Sequence, residues 1–146
     1  MQAPGFIQAR TVDDLNTFPD VSSCSAIELV IKSTTDEPYK GYRFSFGTSH
    51  APGGKPFAFG YKTNIEDVPS KEFGKVVLPF DGFTDFWDDA TGDAIRTCSE
   101  DKKYCPDELT LKELHRLTIW AEGVAGKVSL EIKSISATGC NSSSKE

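Results

Sequence analysis

The segment between Phe80 and Asp93 holds the densest group of side chains suited to chemistry. Its fourteen residues include four aromatic side chains and five aspartates. Calcium takes clustered carboxylates and loop carbonyls as ligands, so a calcium site is one interpretation. Its ligands would be Asp85, Asp88, Asp89 and Asp93. The spacing departs from that of an EF-hand loop, so we instead expect turn-capping aspartates, aromatic side chains that fill one end of the fold, and no bound metal.

A second group of side chains is suited to binding carbohydrate. Aromatic faces stack on the C–H faces of sugar rings, while charged side chains bond the sugar hydroxyls. The candidate platform consists of Phe59, Tyr61, Trp87, Trp120 and Arg43. The alternative is that both tryptophans belong to the hydrophobic core.

The sequence lacks the motifs of the common enzyme classes. It contains no Gly-x-Ser-x-Gly, no His-Glu-x-x-His, no phosphate-binding glycine loop and no dinucleotide fingerprint. Of its two histidines, His50 lies in a glycine-containing loop. His115 lies at the end of a predicted helix, where a cationic imidazole complements the helix dipole. We therefore expect a protein that is not an enzyme and that has no cofactor.

The four cysteines, Cys24, Cys98, Cys105 and Cys140, lack the C-x2-4-C spacing of zinc sites. They allow three disulfide pairings, and sequence alone does not choose among them. Cys98 and Cys105 bracket a short polar loop, which suits a local bridge, while Cys24 precedes one predicted strand and Cys140 follows the last. Four reduced thiols in a cytosolic protein are the alternative. We expect two disulfides, Cys98–Cys105 and Cys24–Cys140, and hence an oxidising compartment.

Length and charge limit the remaining function classes. A chain of 146 residues suits one domain, expected over residues 1–140 and followed by a polar tail at 141–146. The net charge of -6 argues against a nucleic-acid partner and suits a basic protein surface. No apolar run approaches the roughly 18 residues of a membrane-spanning segment.

The apolar residues recur with a period of two in seven short runs that Pro, Gly, Asp and Asn separate. The runs are 5–10, 27–32, 42–47, 57–61, 76–80, 117–119 and 128–133. This pattern predicts an all-β fold, an antiparallel two-sheet sandwich with one face of each strand packed inward. One short helix is expected within 105–115, with Leu111 and Leu114 facing the core.

Four of these segments carry a resemblance to a known family. The run 75–83 is similar to a strand that ends in Leu/Ile-Pro-Phe-x-x-Phe, and 117–135 resembles a closing hairpin with a Leu-Glu-Ile-x-x-Ile strand. The runs 5–10 and 42–46 are similar to the first strand and a central strand of the same family. Together they resemble the complex I intermediate-associated protein domain, a galactose-binding-like β-sandwich of the jelly-roll type. The segment from Trp87 to Asp93, with Cys98 and Cys105, resembles versions of this domain from algae such as diatoms.

The resemblance implies an accessory or assembly subunit that docks onto a respiratory or photosynthetic membrane complex, with protein subunits as partners. Fold relatives of the family include carbohydrate-binding modules, so carbohydrate binding through the aromatic platform is the alternative function. Family members begin with an earlier Trp- and Gly-rich segment, so an N-terminal strand is expected to be missing. The expected disulfides favour the oxidising side of an organelle, such as the thylakoid lumen, with the mitochondrion and secretion as alternatives.

Overall fold

A computed structural model of the protein shows seven β-strands among the residues it describes. It describes residues 6–10, 20–35, 39–50, 59–88, 93–112, 114, 117–122, 126 and 128–140, with the backbone alone for 6–10, 48–50 and 59. The strands are β1 (Phe6–Arg10), β2 (Ala26–Ser33), β3 (Tyr42–His50), β4 (Phe59–Asn64), β5 (Gly74–Pro79), β6 (Thr118–Glu122) and β7 (Leu130–Thr138).

These strands form two antiparallel sheets. The four-stranded sheet has the order β1-β6-β3-β4, and the three-stranded sheet has the order β5-β2-β7. The predicted all-β, two-sheet architecture is therefore confirmed, while its assignment as a jelly roll stays a prediction.

Alternating apolar residues of both sheets meet in one core. Leu29 and Ile31 of β2 and Phe44 and Phe46 of β3 are fully buried there. Phe83 completes the layer, with its ring centroid 4.9 Å from that of Phe46. Burying these inward side chains is the main favourable contribution to holding the two sheets together.

Strand β4 begins and ends later than its apolar pattern predicts, as do β6 and β7. The pattern favoured 57–61, whereas β4 runs from Phe59 to Asn64. Its last three residues are polar, yet they continue the ladder with β3 as far as the pair Arg43–Asn64. The β3–β4 ladder also shifts register between Phe46 and His50, where Gly60 has a φ of +97° that a residue with a Cβ rarely adopts.

The helical content is small, as expected. Helix α1 spans Glu108–Lys112, and both Leu111 and Leu114 are buried in the core as the sequence predicts. Two 3₁₀ turns, at Phe80–Gly82 and Lys102–Tyr104, were not predicted. Among the described residues, none of the helices is long and apolar enough to cross a membrane.

Two disulfides are present, and both pairs are the expected ones. Cys24–Cys140 joins the residues just before β2 to those just after β7, across a sequence separation of 116. Cys98–Cys105 closes a loop with a sequence separation of 7, which contains the 3₁₀ turn at Lys102–Tyr104. Both bridges therefore fasten strand ends or turns rather than cross the core.

Candidate functional site

The outer face of the four-stranded sheet carries an unusual set of polar and aromatic side chains. In β3 the core positions alternate with Arg43 and Ser45, which point to the opposite face. The register places Arg43 beside Trp120 of β6 and Asn64 of β4, and places Ser45 beside Lys62. A sheet face of this composition is normally exposed to solvent.

Here the covering segment, which the structure describes at residues 84–88 and 93–97, lies over that face. The Lys62 and Thr84 backbones exchange two hydrogen bonds, of 2.8 and 3.1 Å, which attach the segment along β4. Its Trp87 donates from Nε1 to the Gly60 carbonyl at 3.0 Å. As a result, the polar residues at the outward positions are buried: Arg43, Ser45, Lys62, Thr118 and Glu122.

At the centre of the covered face, the Lys62 ammonium lies between two tryptophan rings. Its Nζ is 3.5 Å from the ring centroid of Trp87 and 3.6 Å from that of Trp120. Its charge is paired with Glu122, whose Oε2 lies 2.5 Å away. Ser45 accepts a 2.7 Å hydrogen bond from the indole of Trp120. Cation–π attraction and the ion pair thus act together on one buried lysine.

Burial shifts the pKa of both members of the ion pair. Loss of hydration lowers the pKa of Lys62 to about 8, although the neighbouring Glu122 carboxylate favours the ammonium form. The same loss of hydration raises the pKa of Glu122. Each side chain is only 1% exposed, so neither group is open to an incoming substrate in this arrangement.

Arg43 lies at the edge of this cluster and beside a cavity. Its Nη2 donates to Asp93 Oδ1 at 3.0 Å, while its Nη1 is buried without a hydrogen-bond partner among the described residues. The cavity has a volume of about 500 Å³. A second cavity of about 190 Å³ shares Asn64 and Glu66 with it.

Among the described side chains, the candidate carbohydrate platform does not form an exposed surface. Trp87, Trp120 and Arg43 do come together, but all three are buried. Tyr61 lies on the opposite side of the sheet and packs in the core, with its ring centroid 5.9 Å from that of Phe46. The side chain of Phe59 lies outside the described residues. These residues therefore offer no flat aromatic surface on which a sugar ring could stack.

The aspartates considered as calcium ligands serve other contacts. Asp93 pairs with Arg43, the Asp88 amide donates to the Asp93 carbonyl at 2.8 Å, and the Asp85 amide donates to the Tyr104 carbonyl at 3.2 Å. Asp89, like His115 and the side chain of His50, lies outside the described residues. Within the described ranges, no three His, Cys, Asp or Glu side chains form a group that could hold a metal.

Two central residues of the cluster, Lys62 and Glu122, were missed at the level of sequence. They are 60 residues apart and belong to no local motif. Lys62 directly follows the predicted run 57–61, and Glu122 lies three residues after the run 117–119, so the apolar pattern included neither residue. Comparison with known proteins finds no matching family model and no matching curated protein. The resemblance to the complex I intermediate-associated domain therefore stays a prediction.

Proposed function

We propose that the protein is a non-enzymatic accessory or assembly subunit that docks onto a protein subunit of a respiratory or photosynthetic membrane complex. The resemblance supports this role through four segments, which contribute to β1, β3, β5 and to β6 with β7. The last two lie in different sheets, so the segment 117–135 is not the closing hairpin that the resemblance implies. The two disulfides favour an oxidising compartment.

The observation that carries the proposal is the difference between the two outer faces of the sandwich. The covering segment, at residues 84–88 and 93–97, lies over one face, whereas the outer face of the three-stranded sheet leaves Val77 51% exposed. Val30 is half-buried on the same face, and Phe73, which precedes β5, is also partly exposed. We call this surface the open sheet face: Glu28, Val30, Lys32, Phe73, Lys75, Val77, Ser134 and Ser136. Exposed apolar side chains on a rigid sheet are typical of protein-interaction surfaces.

The charges around the open sheet face indicate the kind of partner. Lys32 lies 4.9 Å from the ring centroid of Phe73 and pairs with Glu131 at 3.4 Å. Lys133 also approaches Phe73, at 5.8 Å, and Lys75 is exposed on β5. Lysines thus surround the apolar residues, although the whole protein carries a charge of -6. The partner surface is expected to have an apolar centre and an acidic rim, because complementary charges favour the correct docking orientation.

Affinity purification from native membranes, followed by mass spectrometry, tests the proposal. The wild-type protein should recover subunits of one membrane complex. A Val77→Lys variant should lose them, because the apolar centre of the interface would have to bury a charged side chain. Glu28 lies directly opposite residue 77 in the ladder, so the new lysine pairs with it and the sheet should stay folded.

The matched control is Leu109→Lys, at a residue of α1 that is 72% exposed and does not belong to the open sheet face. It should recover the same subunits as the wild type. Equal recovery by Val77→Lys and the wild type, or recovery without any membrane-complex subunit, would contradict the proposal.

A further inference from the structure

The covering segment is held on the four-stranded sheet by few apolar contacts. Of its described residues, only Thr84 and Trp87 are buried, while the arm 93–96 is exposed throughout. That arm is joined to the other arm by two backbone hydrogen bonds, of 2.9 and 3.3 Å, to the Phe86 carbonyl. A segment with so few buried apolar contacts is expected to open locally at a low free-energy cost.

The layer beneath the covering segment gains little from being closed. The buried Lys62–Glu122 pair adds little net stability, because each charge has lost its hydration. Arg43 Nη1 is buried without a hydrogen-bond partner among the described residues, which costs free energy. Burial of Trp87 and Trp120 is the apolar contribution that favours closure. Opening returns the charges to water, so we expect the closed and open arrangements to differ little in free energy.

The loop that Cys98–Cys105 closes braces the covering segment. It begins directly after the arm 93–97 and returns to the other arm at Tyr104. The Tyr104 carbonyl accepts a 3.2 Å hydrogen bond from the Asp85 amide, and its ring centroid lies 5.2 Å from that of Phe86. The bridge therefore holds the residues that follow one arm against the other arm.

We propose that the Cys98–Cys105 bridge is a redox switch for the covered face. With the bridge closed, the covering segment shields the layer of charged side chains and both tryptophans. Reduction frees the loop 98–105, the covering segment opens, and this layer becomes exposed to solvent. The sandwich stays folded, because its apolar core lies on the other side of the four-stranded sheet. The switch acts on the covered face, so it goes beyond the docking role of the open sheet face.

The reductant is a protein dithiol, and the exchange balances with it alone. A thiolate of the dithiol attacks Cys105, since Cys105 is half-buried whereas Cys98 is only 3% exposed. The bond between the two cysteines breaks, and Cys98 leaves as a thiolate that takes up a proton. The second thiol of the reductant then attacks the mixed disulfide and releases the Cys105 thiol. Two electrons and two protons pass to the protein, and the reductant becomes a disulfide.

Tryptophan fluorescence of the full chain tests the proposal, with dithiothreitol as the reductant. The chain has two tryptophans, and both lie in the covered layer. Reduction should shift their emission to longer wavelength and increase its quenching by acrylamide, while ¹⁵N NMR signals of β2 keep their positions. Amide exchange at Lys62 and Thr84, whose backbone hydrogen bonds attach the segment, should accelerate about fiftyfold, the change in opening equilibrium expected for a loop of this length.

Cysteine variants assign the effect to one bridge. Cys98→Ser/Cys105→Ser should show exposed tryptophans without any reductant, while its Cys24–Cys140 bridge stays closed and supports the fold. The matched control, Cys24→Ser/Cys140→Ser, should keep its tryptophans shielded until dithiothreitol is added. NMR spectra report whether each variant folds, and if the control does not fold, the first variant decides alone.

Three results would overturn the proposal. The first is equal shielding of the tryptophans in the wild type and in Cys98→Ser/Cys105→Ser. The second is tryptophan exposure that comes only with loss of the native NMR signals of β2, since the bridge would then hold the whole fold. The third is exposure that follows opening of the Cys24–Cys140 bridge instead.

Discussion

The contribution of Lys62 to the stability of the fold depends on its ion-pair partner, Glu122. A charged pair buried between two aromatic rings adds little net stability, because each charge has lost its hydration. Removing one partner destabilises the fold, because the other charge then stays buried and unpaired. In this protein the charges of Lys62 and Glu122 stabilise each other, and the tryptophans Trp87 and Trp120 enclose the ammonium.

We expect Lys62→Met to lower the free energy of unfolding by about 3 to 5 kcal/mol, because it leaves the Glu122 carboxylate buried alone. The double variant Lys62→Met/Glu122→Leu should recover most of that loss, since no buried charge remains. Urea denaturation of the wild type, both single variants and the double variant measures the effect. Equal losses in the Lys62→Met and double variants would show that the lost packing, not the unpaired charge, is responsible.

The same lysine predicts a pH dependence. Its pKa is about 8 in the folded protein against 10.5 for an unperturbed lysine, so the unfolded chain binds more protons between these values. The free energy of unfolding should therefore rise with pH from about 8 to about 10.5, because neutral Lys62 is easier to bury. Urea denaturation across this range should show the rise in the wild type relative to Lys62→Met/Glu122→Leu. Parallel pH profiles for the two proteins would contradict it.

At the level of elements, the disulfides differ in the length of chain they close. In the chain-entropy description, stabilisation grows with loop length. We expect Cys24→Ser/Cys140→Ser to lose about 5 kcal/mol and Cys98→Ser/Cys105→Ser about 2.5 kcal/mol, from separations of 116 and 7. Urea denaturation without reductant compares the two variants. A larger loss from the short loop would indicate that local packing outweighs loop entropy.

The strands were predictable, whereas the cluster they support was not. Each apolar run corresponds to a strand, because inward side chains alternate wherever one face is buried. Arg43 and Ser45 occupy the positions that this rule assigns to solvent, yet both are buried. The cause is the covering segment, at residues 84–88 and 93–97, which attaches to β4 at Lys62 and lies over the face. The alternation of apolar and polar residues indicates which side chains share one face of a strand. It gives no information about a segment, distant in sequence, that covers that face.

At the scale of the whole molecule, the outer faces of the two sheets differ. Between them lies one apolar core, and outside the four-stranded sheet a second, polar layer joins Lys62, Glu122 and both tryptophans. The three-stranded sheet keeps its outer face open, with Val77 at its edge. Partner docking is therefore proposed for the open sheet face and not for the covered face.

The Cys24–Cys140 bridge has a consequence for a chain that has been cut. A protease that breaks any peptide bond between these two residues leaves both fragments covalently joined. Such a nicked protein keeps its mass on a non-reducing gel and separates into fragments only after reduction. Because the bridge holds the outer ends of β2 and β7, the fragments also stay in register within the three-stranded sheet. The open sheet face can thus survive an internal cleavage for as long as the bridge stays oxidised.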